Sequence, residues 1–557
     1  MFKILFSLAG LSVSASLFAQ PLIAPKGIVN AASFMAPSLG GGAIARGSIF
    51  TLFGSRIGPD SSPSLAFPLS TSLGGVSVKV IPISGSPVDA FPIFVSASQI
   101  NAIMPSNVAL GMASVQVTFN NARSNMGPVR IVNSSLGIFA VRAGMGPGIF
   151  FNFISQSQQP LNAPAVTAAP GQVVTLYGTG LGPVSFADNV APTAGNLPIQ
   201  TEVFVGGKSA SVQYNGRTPC CSGVDQIVFT TPPDAPLGCY VPVTVRTAGT
   251  TSSNTVTMAI ANNGSSCSDP GNPLSQSIIN GGKFGAVVLA RTNMHEDLGL
   301  KAPVDITIDN AVVNLRQEKG DPLAFNPLFS YPPAGSCTVY TASVDLFGSD
   351  NLPLTATTGK YLDAGSSMFK LQGLSGTRDI MPSISPLNPI FNFWQFGKNI
   401  PNSGLRDSTL LTTGDFTLRV NGGADVGQFQ ATITNPSPLS WTNRDQAANV
   451  IRTQPLTINW SGGPPNVPVA ILGANVDIPT NSTGLFFCVA PAGSTSFAVP
   501  PYVLANVPAT RSRPIASKGV LFVGAMTLAS PSNFSAPGLD LGVAAATTFS
   551  ARPVIFK

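Results

Sequence analysis

The sequence carries GSIFTLFGSRIGP at residues 47–59, and this segment recurs as GQVVTLYGTGLGP at residues 171–183. Gly, Thr, Leu, Gly, Gly and Pro coincide without a gap, and most other positions are conservative exchanges. Downstream, VSVKV at residues 76–80 parallels TEVFV at residues 201–205, and the order of shared residues is kept beyond that point. Ordered self-similarity over such a length indicates two copies of one domain.

The local pattern within each copy is that of β-strands. Val76, Val78 and Val80 alternate with polar residues, which places the valines on one face of a strand. The chain contains 56 Gly and 50 Pro, and clusters of turn residues separate such runs at short intervals, as a β-sandwich requires. Sustained helical periodicity is missing, so we predict an all-β protein.

Several short motifs carry a family resemblance. TLYGTGLGP, followed by the turn VGGK at residues 205–208, resembles the IPT/TIG class of immunoglobulin-like domains. VNAASF at 29–34, LGGVSV at 73–78 and VSASQIN at 95–101 resemble, more narrowly, a paired repeat of uncharacterised secreted proteins from soil bacteria. The resemblance covers about residues 28–262 and implies tandem immunoglobulin-like β-sandwiches. It implies no catalytic residues, because that family has none established.

The rest of the chain completes the predicted domain organisation. A stretch rich in Asn, Gly, Ser and Pro predicts a linker, and strand-like runs bounded by turn residues follow it. The predicted parts are a signal peptide at 1–19, a first immunoglobulin-like repeat at 28–145, a second, IPT/TIG-like repeat at 146–262, a linker at 263–274, a β-rich domain at 275–440 and a C-terminal β-sandwich at 441–557.

The first residues predict export. Lys3 precedes a mostly apolar stretch of small residues, with cleavage expected after Ala15 or Ala19. The stretch is short for a membrane span, and no later run approaches about 18 apolar residues. We therefore expect a secreted, extracellular or cell-surface protein without a membrane span after cleavage.

The cysteine count fits that destination. An even number of cysteines in an exported chain predicts disulfides. Six cysteines allow 15 pairings, and the sequence does not choose among them. Four of the six lie within residues 220–267, which favours local bridging there and would leave the last two to pair with each other. The adjacent pair could instead act as a redox switch, although a structural bridge is the preferred interpretation. The six candidates are Cys220, Cys221, Cys239, Cys267, Cys337 and Cys488.

Charge argues against nucleic acid as a partner. The chain has 29 basic and 23 acidic residues, a formal net charge of +6, and only 9% charged residues. No Lys/Arg run concentrates this charge, whereas nucleic-acid binding usually needs a clustered basic surface.

Catalytic, metal and cofactor signals are weak. His295 is the single histidine, no Gly-x-Ser-x-Gly motif occurs, and an exposed loop position is expected for it. Asp345 and Asp350 stand outside any EF-hand pattern, so no metal site is predicted. The Gly54 and Gly58 turns lead into Pro59 and not into a helix, which disfavours a nucleotide, and no cofactor is predicted.

Aromatic residues are the candidates for ligand contact. Trp394, Phe396 and Trp441 could stack on sugar rings, although packing in a core is the commoner fate of such side chains.

These observations predict a non-catalytic binding or structural protein at the cell surface or outside the cell. The tandem sandwiches would act as spacers, and loops or the C-terminal region would contact an unknown polysaccharide or protein. The alternative is a secreted carbohydrate-active hydrolase whose site lies within residues 275–557.

Overall fold

The structure is a computed structural model that describes residues 20–296, 304–343, 359–365, 369–374, 376–382, 393–396, 411–480, 482–511 and 519–557. The predicted signal peptide lies outside the described residues. The described chain is almost wholly β, which confirms the predicted fold class.

The first region is a two-layer β-sandwich. One sheet has the order β1-β3-β8-β7, and the other has the order β2-β11-β9-β5-β4, with β6 beside β5 and β10 beside β9. Val76, Val78 and Val80 are fully buried between the layers, as their alternation predicts. The strands β1 to β11 are Leu22–Asn30, Ile44–Ala45, Ile49–Ser55, Ser72–Leu73, Val76–Pro82, Val88–Asp89, Phe91–Val95, Gln99–Ile103, Gly111–Phe119, Ala122–Arg123 and Gly127–Val132.

The second region is a sandwich made from one folded sheet. Its order is β12-β16-β19-β18-β17-β20-β22-β14-β13, with β15 beside β16 and β21 beside β20. The long strand β18 pairs with β19 in one layer and with β17 in the other, and its register shifts between Val212 and Tyr214. The strands β12 to β22 are Gly137–Ile138, Ala140–Arg142, Met145–Gly148, Phe150–Asn152, Val173–Thr179, Thr201–Val205, Lys208–Arg217, Asp225–Thr230, Gly238–Thr247, Thr251–Ser252 and Val256–Ile260.

The boundary between the two sandwiches falls earlier than predicted. The expected limit was residue 145, but β12 pairs with β16 and β14 pairs with β22, so the second sheet already includes Gly137–Ile138. The first sandwich likewise begins at β1, several residues before position 28. Short edge strands of this kind have too few residues for a clear alternating pattern.

The C-terminal region forms one large sheet with a small second one. The large sheet runs β25-β36-β35-β38-β40-β23-β24-β29-β28-β27-β30-β31, and the small one runs β32-β34-β37. The strands β23 to β40 are Lys283–Glu296, Val304–Gln317, Ser336–Ser343, Lys360–Tyr361, Phe369–Gly373, Gly376–Pro382, Phe393–Phe396, Gly414–Val420, Phe429–Asn435, Leu439–Trp441, Asn449–Val450, Leu456–Gly462, Val469–Asp477, Ser482–Ala490, Ser496–Val499, Gly519–Ala525, Ser532–Phe534 and Leu541–Phe556.

Helices are short throughout the described chain. Within the described residues, the two α-helices are α1, Ser275–Asn280, and α2, Pro501–Leu504. The 3₁₀ turns are Gly40–Gly42, Asn262–Gly264, Arg444–Ala448, Ile478–Thr480 and Thr527–Ala529.

The large sheet crosses the division expected near residue 440. β40 pairs in parallel with β23, and β25 pairs with β36, so strands from both sides of residue 440 belong to one sheet. Two hydrophobic cores nevertheless exist. One surrounds Phe416 and Leu418, and the other surrounds Trp460 and Phe486. Because strands far apart in the sequence pair with each other, no local sequence pattern shows where one core ends and the other begins.

Candidate binding clefts between the domains

The six cysteines form three disulfides, Cys220–Cys221, Cys239–Cys267 and Cys337–Cys488, and none remains free. Local bridging within residues 220–267 and the pairing of the last two cysteines are thereby confirmed. Cys337 and Cys488 are direct partners across β25 and β36, where the bridge is buried in the core around Trp460. Such bonding is typical of proteins that fold in oxidising compartments.

Of the three aromatic candidates, Trp441 is the one whose side chain the structure describes. Trp394 and Phe396 lie on β29, but their side chains are outside the described set. Trp441 is only 6% exposed and lies opposite Trp460 on β34, with its Nε1–H donating to Asn443 Oδ1 at 3.0 Å. The structure therefore places Trp441 in a core and not on a ligand-stacking face.

His295 and the acidic residues also differ from expectation. His295 lies on β23 opposite Asp305, half-buried in a strand and not in a loop, because β23 and β24 form a long ladder here. Asp309 accepts two hydrogen bonds of 2.7 Å from Arg291. Asp345 and Asp350 lie outside the described residues. Within the described ranges, no group of three or more His, Cys, Asp or Glu side chains is placed to hold a metal ion.

A buried ion pair joins the two N-terminal sandwiches. Arg217 and Asp225, on adjacent strands, have side chains only 3% and 1% exposed. Arg217 Nη2 donates to the carbonyl oxygens of Gly47 at 2.6 Å and Gly182 at 2.7 Å. Burial lowers the pKa of Arg217 to about 10, which still leaves it protonated at neutral pH. The ion pair itself lies in the second sandwich, and the charged hydrogen bond from Arg217 connects it to the Gly47 turn of the first sandwich.

Further buried hydrogen bonds extend this contact. Asp225 Oδ2 accepts from the backbone N–H groups of Gly180 at 2.6 Å and Leu181 at 2.7 Å. Thr179 Oγ1 accepts from Ile49 N–H at 2.8 Å and donates to Gly223 O at 2.6 Å. A network whose members are this well satisfied fixes one relative orientation of the two sandwiches.

The C-terminal region packs against the second sandwich. Tyr502 of α2 stacks on Phe204 with ring centroids 4.6 Å apart, and the Arg246 guanidinium lies 5.3 Å from the same Phe204 ring. Asn506 Nδ2 donates to Ser253 O at 2.8 Å. These contacts argue against a simple spacer role, because the sandwiches are joined to the region they were expected to hold apart.

The predicted linker at 263–274 is held in place. The Cys239–Cys267 disulfide ties it to β20, and Asp269 Oδ1 accepts from Cys239 N–H at 2.8 Å. Asp269 Oδ2 accepts from Ser275 Oγ at 2.7 Å. Burial raises the pKa of Asp269, although these two hydrogen bonds oppose the shift.

One cleft lies between the two N-terminal sandwiches and encloses about 580 Å³. Its walls come from the β6–β9 loops of the first sandwich and from residues 184–189 of the second. Asp188 accepts from Ser106 Oγ and from Ser106 N–H, both at 2.7 Å. In this cleft, the carboxylate of Asp188 and the hydroxyl group of Ser106 are therefore already hydrogen-bonded to each other.

A second cleft, the arginine cleft, lies between the first sandwich and the C-terminal region and encloses about 450 Å³. Its position depends on both regions: Arg130 projects from β11, whereas Asp477 ends β35. The lining residues are Pro37, Ser38, Leu39, Gly40, Arg130, Arg452, Asp477, Ser482, Pro508, Ala509 and Arg511.

The three arginines of this cleft differ in their partners. Arg511 Nη2 lies 3.0 Å from Asp477 Oδ2, and that carboxylate is only 7% exposed. Arg452 Nη1 donates to the carbonyl oxygens of Ala505 at 3.4 Å and Val507 at 3.2 Å. Burial lowers the pKa of Arg452, and no acidic group offsets that effect. Arg130 is exposed and forms no ion pair with another described residue.

Sequence reasoning missed this cleft for a simple reason. Arg130 precedes Arg452 by hundreds of residues, and Arg452 precedes Arg511 by tens of residues. None of the three arginines is part of a basic run. Only the packing of the first sandwich against the C-terminal region brings them together, so no local pattern could have predicted it.

No protein-family model and no curated protein matches the chain. Among solved structures, it is similar to the extracellular region of plexin A4 (16% identity, 42% of this chain, 18% of that one, TM-score 0.15). It is similar to SGBP-B of the Bacteroides ovatus mixed-linkage glucan utilization locus, solved with a mixed-linkage heptasaccharide (13% identity, 39% and 44%, TM-score 0.19). A tetra-tandem repeat from the extending region of a large adhesion protein is similar at 12% identity (96% and 99%, TM-score 0.12).

The chain spans less than half the length of the first two proteins, 18% and 44% respectively. Across the described residues, no helix is both long and apolar enough to cross a membrane.

Proposed function

We propose that this protein is a non-catalytic binding protein that acts outside the cell or at its surface and presents the arginine cleft to its partner. One observation carries the proposal: two regions of a chain with few charges combine to place three arginines around one opening. Guanidinium groups are planar donors suited to carboxylate and phosphate groups. A polysaccharide or a protein could supply such groups.

The chemistry of the cleft favours binding over turnover. Among the described residues that line it, Asp477 is the one carboxylate, and it is paired with Arg511. Glycoside hydrolysis generally uses two carboxyl groups, one on each side of the scissile bond. The lining therefore supports recognition and provides no acid–base pair.

The remaining parts of the proposal concern origin and location. The three disulfides support folding outside the cytoplasm. The segment at residues 1–19 acts as the export signal, and the two N-terminal sandwiches are IPT/TIG-like modules of the paired-repeat type. The solved structures to which the chain is similar include a saccharide-bound SGBP-B and a repeat from an adhesion protein.

A binding array that carries neutral glycans, acidic glycans and extracellular proteins tests the proposal on the mature full-length chain. We expect retention on one class of ligand without release of reducing sugar over long incubation. Accumulation of cleavage products would contradict a non-catalytic role. Retention on no array member would contradict a binding role, and a purely structural function would then stand in its place.

A further inference from the structure

The arginine cleft contains positive charge that the described chain does not neutralise. Asp477 forms an ion pair with Arg511, whereas Arg130 and Arg452 have no carboxylate partner among the described residues. Only 9% of the residues are charged and the formal net charge is +6, so three arginines around one opening stand out from the rest of the surface. A locally unbalanced charge of this kind attracts anionic ligands.

Arg452 is held in a fixed orientation. Its Nη1 donates to the carbonyl oxygens of Ala505 and Val507, next to α2, and the side chain is half-buried. A guanidinium removed from water without a counter-ion is costly, and a bound anion would offset that cost. The orientation is set before any ligand arrives, so little side-chain entropy is lost on binding.

Arg130 approaches from the other side of the cleft. It projects from β11 of the first sandwich, whereas Arg452 and Arg511 belong to the C-terminal region. A ligand that contacts both sides must therefore carry more than one anionic group or lie across the opening. A polymer with a negative charge on each repeating unit meets that requirement.

The other lining residues offer little to anchor a large peptide side chain. The exposed ones besides the arginines are small, namely Ser38, Gly40 and Ala509, and the part of the lining that the structure describes includes no aromatic side chain. Peptide partners usually anchor a large apolar or aromatic residue in a pocket. The described lining likewise has no aromatic side chain to stack on a sugar ring, so a carbohydrate would be held through its charges and hydroxyl groups.

We infer that the arginine cleft binds the carboxylate groups of an acidic, uronate-containing polysaccharide. This inference rests on the proposed function and names its ligand class. Arg130 and Arg452 would each donate to a carboxylate oxygen, while Asp477 holds Arg511 at the end of the cleft. No covalent step is involved.

The test is titration of the mature full-length chain with polygalacturonate and with its methyl ester, which has the same backbone without the charges. We expect binding to the free acid and little or none to the ester. Arg130→Gln should weaken binding by about tenfold or more, because a charge-assisted hydrogen bond is lost. Raised salt should weaken wild-type binding as well, since the contacts are partly exposed.

Arg123→Gln is the matched control, because Arg123 is an exposed arginine on β10 of the same sandwich and lies outside the cleft. It removes the same charge and should leave binding unchanged. Arg130 forms no side-chain hydrogen bond or ion pair with another described residue, and an unchanged melting temperature confirms that its variant is folded. Arg452→Gln provides a second variant from the opposite side, with the same direction of effect.

The outcomes separate the two proposals. If Arg130→Gln and Arg123→Gln bind alike, or if poly-glutamate or dextran sulfate binds as tightly as polygalacturonate, the uronate inference is overturned while a binding function stands. Binding of the ester as tight as that of the free acid has the same consequence. If the wild-type chain binds no polymer or protein at all, the proposed function itself fails.

Discussion

The two N-terminal sandwiches share a framework and differ at their junction. Leu52 pairs with Ile100 in the first copy, and Leu176 pairs with Ile227 in the second, so the repeated strands occupy the same register. Gly54 and Gly178 are also equivalent, since a side chain at either would meet the backbone of the neighbouring strand, at Leu22 or Gly137. The repeated residues thus build the fold itself.

The acidic residue at the junction of the copies is not repeated. Asp225, which anchors the buried ion pair, corresponds to the exposed Ser98 of the first copy. The first copy contains no cysteine, whereas Cys220, Cys221 and Cys239 lie in the second copy and Cys267 lies in the segment that follows it. The repeated residues therefore supply two equivalent frameworks, and Asp225, which is present in one copy only, supplies the carboxylate of the buried ion pair at their junction.

The largest expected difference between the copies comes from replacing Asp225. Asp225→Ala leaves Arg217 buried without its counter-ion, which should lower the free energy of unfolding by about 3–5 kcal/mol. Ser98→Ala, at the equivalent position, should change it by less than about 0.5 kcal/mol because that site is exposed. Denaturant unfolding of both variants measures the contrast, and equal effects would show that the junction does not depend on the ion pair.

The second largest effect concerns the disulfides of the second copy. Replacing Cys239 and Cys267 by alanine opens a bridge with a sequence separation of 28 residues. Loop-closure entropy predicts a loss of about 3.5 kcal/mol in the free energy of unfolding.

Replacing Cys220 and Cys221 by alanine is the control, because residues one apart in sequence close no chain loop. Denaturant unfolding should show much the smaller loss for this pair. A loss as large as that of the Cys239–Cys267 variant would contradict the entropic account.

The shared framework predicts equal effects at equivalent positions. Leu52→Ala and Leu176→Ala each remove a fully buried side chain at the same register position. Each should lower the free energy of unfolding of its sandwich by about 3 kcal/mol. Hydrogen exchange of each sandwich measures the two losses separately, and a difference well above 1 kcal/mol, about the scatter among such sites, would break the equivalence of the copies.

The smallest effect is a pH dependence at the segment after the second copy. Burial raises the pKa of Asp269 above its unfolded value, so the folded state binds the proton more tightly. The stabilisation from this group is complete below the unfolded pKa and is lost as the pH rises through the folded one. Asp269→Asn should flatten this part of the stability–pH curve in unfolding experiments, and an unchanged curve would contradict the assignment.

The sequence predicted features that a local residue pattern reports, and it missed contacts between residues far apart in the chain. Val76, Val78 and Val80 alternate within one strand, so their burial could be inferred without the structure. The pairing of β23 with β40 joins residues about 250 positions apart, and no local pattern reports it. The same holds for the arginine cleft, and Trp441 shows that an aromatic near turn residues can still be a core residue.

The central claim is that polar contacts of the second copy hold the sandwiches and the C-terminal region as one body around the arginine cleft. Small-angle X-ray scattering of the mature chain tests this claim most directly. A single rigid arrangement predicts a profile that matches the one calculated from the structure, with no additional extended conformers. A profile that requires a mixture of extended arrangements would contradict it, because the cleft exists only while the regions are packed together.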